Sequence, residues 1–282
     1  MHFTSPLVLV QFPFLGCIFA GLRSLYFWTY TSVKRIYGSS RNWRFNKKIF
    51  CLVDGTIVLT EGMKEELLDL LGERISNTTI IIKNLLTTKI NVSLYSPDSK
   101  RFLYVGRLDN LPKRVDRLIK ALASASVGHN DFELVVVGDG EDKEELQNLA
   151  TQIGLGDHII WAGWQPDPWS YVKSVGGAEA LLLTSDYEGF GLVMVEAMAN
   201  GIPCVAVDCS TGPGDIIQNG INGVLIPFTS DEQIVKDLSQ VLKQFLDGKL
   251  MFDEDKIKAS VVEHDPSMVV EKWIKLIEQY NR

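Results

Sequence analysis

The chain has 282 residues, 46% hydrophobic and 22% charged, with 23 glycines and 10 prolines; this suits a globular protein of one large or two modest domains and excludes a disordered, collagenous or disulfide-stapled chain. Twenty-eight Lys and Arg against 35 Asp and Glu give a net charge of -7, which argues against a broad electrostatic grip on nucleic acid. The charge is uneven: residues 1–53 hold seven basic residues and no acidic one, together with Phe12, Phe14, Tyr26, Phe27, Trp28 and Trp43, a composition suited to an anionic lipid surface or to balancing the acidic remainder.

The apolar stretch 6–22 scarcely reaches membrane-spanning length and contains Gln11, Pro13, Gly16 and Gly21, so it reads as a buried or interfacial helix. Residues 24–33, rich in aromatic and β-branched side chains, predict a buried strand, and 34–48 a basic loop or helix. A short strand at 55–60, a helix at 61–71 and a strand at 79–83 follow, and then a polar segment, 84–101, that contains Pro97 and reads as an interdomain linker. Beyond it, strands at 102–106, 133–138, 158–163, 180–184, 204–207 and 224–227 alternate with helices at 113–125, 141–153, 193–200 and about 215–218. Continuous apolar runs separated by helices predict a doubly wound parallel sheet covered on both faces. Helices at about 231–245, 254–262 and 267–280 close the chain. Cys17, Cys51, Cys204 and Cys209 have neither zinc-site spacing nor the density of a secreted scaffold, which points to a reducing cytoplasm.

In such sheets ligands bind beyond the carboxyl ends of the strands. After the strand ending at Gly106 comes Arg107, and six residues on Lys113; two cations near a helix start are either solvated surface charges or a clamp for a diphosphate. The next strand ends at Gly138, followed by Asp139 and Gly140, which permit close backbone approach to a nucleotide or simply make a tight turn. Trp164 and Gln165 follow the third strand, where backbone groups could read a base edge or the aromatic could merely pack. The most informative run is Glu188-Gly189-Phe190-Gly191-Leu192-Val193-Met194-Val195-Glu196. Glu188 in a loop and Glu196 inside a helix could contact different parts of one ligand, with the amides of Gly189, Phe190, Gly191 and Leu192 directed at a phosphate.

Four segments in order, GRLDNLPKRVDRLIKA, VVVGDGEDKEEL, the Glu188 to Glu196 run, and GIPCVAVDCSTGPGDIIQNGINGVLIP, resemble the retaining GT-B glycosyltransferases of family 4. IIWAGWQPDPW and CSTGPGDII are further similar to the bacterial lipopolysaccharide 1,6-galactosyltransferase type. The resemblance implies an α/β, GT-B-type fold with a Rossmann-like nucleotide-sugar domain at 99–262, a partial acceptor-side domain and linker at 1–98, and a C-terminal helical segment, 263–282, positioned to return to the N-terminal domain. It implies transfer of a hexose from a UDP-sugar with retention at the anomeric carbon, no metal or other cofactor, and a glycan or lipid-linked saccharide acceptor at the inner face of the cytoplasmic membrane. By the same resemblance Arg107 and Lys113 neutralise the leaving diphosphate, Glu188 holds the donor sugar, the 189–192 amides hold phosphate and Glu196 holds the ribose.

Two departures stand beside these matches. Residues 1–98 correspond only to the later half of the family's acceptor-side domain, and Tyr30 and Thr31 occupy a place where the family often has a histidine. None of His2, His129, His158 and His264 is an evident substitute, and the shortened N-terminal part admits the alternative of a catalytically silent nucleotide-sugar-binding subunit that needs a partner. Asp253-Glu254-Asp255 looks like a metal-binding triplet but stands at a predicted helix start and reads as a cap.

Overall fold

The computed structural model describes residues 8–12, 15–19, 25–29, 55–86 and 93–280, which form two sheets. In the first, β1 (Val8–Phe12), β2 (Leu15–Phe19), β3 (Leu25–Thr29), β4 (Gly55–Val58) and β5 (Thr79–Ile81) lie side by side in chain order. Strands β1 to β3 pair antiparallel, while β3 to β5 pair parallel. The expected helix over 6–22 is thus replaced by an antiparallel pair in which Val8 faces Phe19 and Phe12 faces Leu15. Pro13 and Gly16 break the stretch midway, and the flanking Val8, Val10, Phe12, Ile18 and Phe19 are strand formers. Tyr30, Thr31 and the basic segment 34–48 lie outside the described residues.

Helix α1 (Glu61–Leu71) has the expected bounds because both its ends are written locally. The Thr60 side chain accepts from the Met63 amide at 3.0 Å, and Met63, Leu67 and Leu71 form one buried stripe. The polar segment after β5 is more firmly anchored than a free linker. Leu86 and Leu94 are buried, the Leu86 amide donates to the His264 carbonyl at 2.8 Å, and the Leu94 amide donates to that of Asn200 at 2.9 Å.

The second sheet contains β6 (Arg101–Val105), β7 (Glu133–Val137), β8 (Ile159–Gly163), β9 (Ala180–Leu183), β10 (Cys204–Val207) and β11 (Gly223–Ile226). All pair parallel in the order β11-β10-β9-β6-β7-β8. Helices α2 (Asn110–Lys113), α3 (Val115–Ala125), α4 (Lys143–Gln152), α5 (Pro168–Ser174), α6 (Leu192–Ala199), α7 (Pro213–Ile216), α8 (Asp231–Leu246), α9 (Glu254–Ala259) and α10 (Pro266–Tyr280) connect and follow these strands. The single helix expected over 113–125 is interrupted at Arg114, whose φ of 48° is left-handed. Helix α5 was not expected, since Pro166, Asp167 and Pro168 resemble turn residues; Asp167 instead caps the helix and Pro168 begins it.

Helix α10, which follows the second sheet in sequence, packs on the first: its Val269 and Leu276 are buried against Ile57 and Ile82. At the opposite end of the second sheet, Glu179 is buried and accepts from the Lys100 amide at 2.9 Å. Burial pushes its carboxyl from the ordinary 4.5 up to about 7. A raised folded-state pKa means that the native chain holds a proton the unfolded chain has released. The stability this proton confers should therefore decline as pH rises from about 4.5 through 7, the interval between the two values. Denaturant unfolding across pH 4 to 8 should show a smaller decline in Glu179→Gln; an unchanged profile would refute the assignment.

Candidate active site

In the second sheet the chain leaves β6 toward β7 and β8 on one side, and leaves β9 toward β10 and β11 on the other. In doubly wound sheets ligands occupy the crevice at such a reversal, which here falls between the carboxyl ends of β6 and β9. The two loops bordering it carry Arg107 with Lys113 and Glu188 with Gly189.

The structure joins Lys113 directly to Glu188, with Nζ 2.8 and 2.9 Å from the two carboxylate oxygens. Glu188 is buried and also accepts from the Ser185 hydroxyl at 2.6 Å, while its carbonyl accepts from the Thr211 hydroxyl at 2.6 Å. The turn before α3 and the loop after β9 are stitched together around this pair. The Thr184 hydroxyl donates to the Arg114 carbonyl at 2.7 Å, and the Asp186 amide donates to the Pro112 carbonyl at 2.9 Å. Arg114 and the buried Arg117 both reach Asp186 and Asp231, the latter at the start of α8, and Arg114 also bonds Asp116. These ion pairs hold Arg114 in its left-handed conformation beside Lys113, whose ammonium meets Glu188.

A pocket of about 230 Å³ is lined by Gly106, Arg107, Gly138, Trp164 and Gln165, with Val105, Val137, Asp139 and Pro168. Five of the residues singled out from sequence therefore converge here. The Arg107 side chain is 74% exposed and lies 3.7 Å from Asp109, leaving it accessible to an anion. Its backbone is fixed, because the buried Tyr104 hydroxyl donates to the Arg107 carbonyl at 2.7 Å. Trp164 is 70% exposed, a large aromatic face open to solvent at the pocket rim. The glycines serve loop packing as well as access. A Cβ on Gly138 would lie 1.8 Å from the Gly106 carbonyl oxygen, and one on Gly140 would lie 2.3 Å from that of Leu108.

Gly191, at φ 88°, turns the chain into α6, whose first amides open toward the loop from Glu188 to Phe190. Glu196 lies one turn into that helix, half-buried, and its Oε2 accepts from the indole nitrogen of Trp169 at 3.2 Å. Burial pushes the Glu196 carboxyl upward, and this indole hydrogen bond opposes the rise. The Phe190 ring lies 5.4 Å from that of His264, which is buried and bonds through Nδ1 to the Asn84 carbonyl at 2.8 Å. The other described histidines are structural. His129 lies against Asp247, and His158 stacks on Phe132. Asp253 accepts from the amides of Asp255 and Lys256 and so caps α9, as expected. Among the described residues no group of three His, Cys, Asp or Glu is placed to hold a metal, and no helix is long and apolar enough to cross a membrane.

Sequence reasoning missed Ser185, Thr211, Trp169, Arg114, Arg117 and Asp231. Residue type suggested none of them, although Arg114 adjoins a residue already singled out.

Residues 87–250 match the family described as glycosyl transferases group 1. The chain is 33% identical over 230 residues to the lipopolysaccharide 1,6-galactosyltransferase of Escherichia coli (strain K12), covering 79% of this chain and 61% of that protein. Among solved structures it is similar to the lipopolysaccharide outer core galactosyltransferase WaaB in its apo form, with a TM-score of 0.77 and 27% identity over 89% of this chain and 67% of that one. The pneumococcal O-GlcNAc transferase GtfA, solved with UDP and GlcNAc, shares the fold with a TM-score of 0.70 at 23% identity, over 85% of this chain and 48% of that one.

Proposed function

The chain belongs to the group 1 glycosyl transferases, and on that premise we propose that it transfers a hexose, with galactose the first to test, from a UDP-sugar to a lipopolysaccharide core or other lipid-linked glycan. The observation that carries the reading is the Lys113–Glu188 pair at the sheet reversal, beside the α6 N-terminus. The UDP bound to a protein of the same fold supports the choice of nucleotide. The diphosphate lies across the crevice, met by Lys113, Arg107 and the amides beginning α6, which do the neutralising work of a metal. Glu188 holds the donor sugar and Glu196 accepts from the ribose hydroxyls. The anomeric carbon's bond to the diphosphate breaks as its bond to the acceptor oxygen forms on the same face, giving retention. The acceptor's proton leaves with the departing phosphate. Transfer takes place at the inner face of the cytoplasmic membrane, a location that the basic composition of residues 1–53 suits.

Calorimetric titration tests the donor half. UDP should bind at about micromolar Kd, roughly -8 kcal/mol, with ADP and GDP weaker. Glu196→Ala should weaken UDP by about 10- to 100-fold in a chain that still folds, because hydrogen bonds to a carboxylate are lost. Unchanged affinity would remove Glu196 from the ribose site. Radiolabel transfer from UDP-galactose to truncated lipopolysaccharide, with and without EDTA, tests the rest. A silent binding subunit would bind UDP and transfer nothing.

A further inference from the structure

Trp169 is 7% exposed, its ring buried in the core and its indole nitrogen bonded to Glu196. Its surroundings leave it little freedom. The Asp167 carboxylate accepts from the Ser170 amide at 3.1 Å and from the Ser170 hydroxyl at 2.6 Å, fixing the first turn of α5. Gln165 donates to the Ala162 carbonyl at 2.8 Å, fixing the loop that leads there. The adjoining residue, Pro168, lines the same pocket as Trp164 and Gln165. Glu196, by contrast, has no other side-chain hydrogen bond to its carboxylate among the described residues. A carboxylate on a helix rotates readily about its last torsion. One rigid donor on Oε2 stops that rotation and leaves Oε1 free to accept.

We propose that Trp169 is a positioning residue that orients the Glu196 carboxylate toward the ribose of the donor and thereby sets the preference for ribonucleotides over 2′-deoxyribonucleotides. The proposal rests on the assignment of Glu196 to the ribose. A carboxylate held in one plane can accept from both the 2′- and 3′-hydroxyls, and loss of either donor leaves a partly desolvated oxygen without its partner. A carboxylate free to rotate adjusts to the 3′-hydroxyl alone and discriminates less.

The test is titration of UDP and dUDP into wild type, Trp169→Phe and Glu196→Ala. Phenylalanine keeps an aromatic ring in the buried site while removing the N–H donor and the smaller ring, so melting temperature monitors the packing defect separately. Wild type should prefer UDP over dUDP by about tenfold or more, one hydrogen bond to a charged group. Trp169→Phe should lose most of that ratio, approaching Glu196→Ala, while its melting temperature stays within a few degrees. A wild-type ratio in Trp169→Phe, with the ratio lost in Glu196→Ala, would overturn the role of Trp169 and leave Glu196 on the ribose. Tight UDP binding by wild type without discrimination would overturn both assignments while leaving the UDP site standing.

Discussion

Lys113→Ala should lower transferase turnover by about 10²- to 10³-fold, the usual effect of removing one preorganised group that stabilises developing charge. The same variant also exposes a fold problem. Glu188 is buried and would keep only the Ser185 hydroxyl as a side-chain donor, so an uncompensated carboxylate is left in place. Melting temperature should therefore fall with activity, and the single variant alone cannot separate the two causes. Lys113→Ala combined with Glu188→Gln removes the unpaired charge and should recover most of the lost stability. Its turnover should stay as low as that of the single variant, because neither the cation nor the sugar-binding carboxylate returns. Recovery of turnover together with stability would show that Lys113 serves the fold and that the diphosphate is neutralised elsewhere, with Arg107 the next candidate.

The parallel sheet was legible because each of its strands is a continuous apolar run, and helix α1 because Thr60 and a three-residue buried stripe define it locally. The hairpin of β1 and β2 was not. Its apolar content fits a helix equally well, and the pairing that settles the matter is between strands. Arg114 shows another limit. A left-handed arginine costs roughly 1–3 kcal/mol, and nothing adjacent in sequence announces it. The compensation comes from Asp116 two residues on and from Asp186 and Asp231, 72 and 117 residues away. The candidate site divides in the same way. Charged and glycine residues in the loops after strands could be read from their position alone, whereas Trp169 donates across 27 residues from a helix disguised as a turn. Its only sequence signal was its place directly after an N-capping aspartate and a pocket-lining proline.

Gly138→Ala should be the most damaging small substitution in the site. At φ 146° the position is one that side chains rarely adopt, and the new Cβ would lie 1.8 Å from the Gly106 oxygen. Backbone cannot yield as a side-chain tip does, so the loops after β6 and β7 must separate. The Gly106 amide donates to the Val137 carbonyl at 3.0 Å, and the Gly138 amide donates to that of Gly163 at 2.8 Å, so separation strains both neighbouring loops. Backbone strain and overpacking each cost about 1–3 kcal/mol. Together they should lower the melting temperature by about 5–15 °C, given about 2–4 °C per kcal/mol for a chain of this size. Gly154→Ala supplies the control: its φ is 82° but nothing lies within 4 Å of the added Cβ, so it carries the conformational cost without the collision. Because Gly106, Arg107 and Gly138 line one pocket, only Gly138→Ala should also weaken UDP. Equal melting-temperature losses in the two variants would mean that the loops after β6 and β7 give way cheaply, and the pocket would then be a yielding one rather than a preformed cradle for the nucleotide.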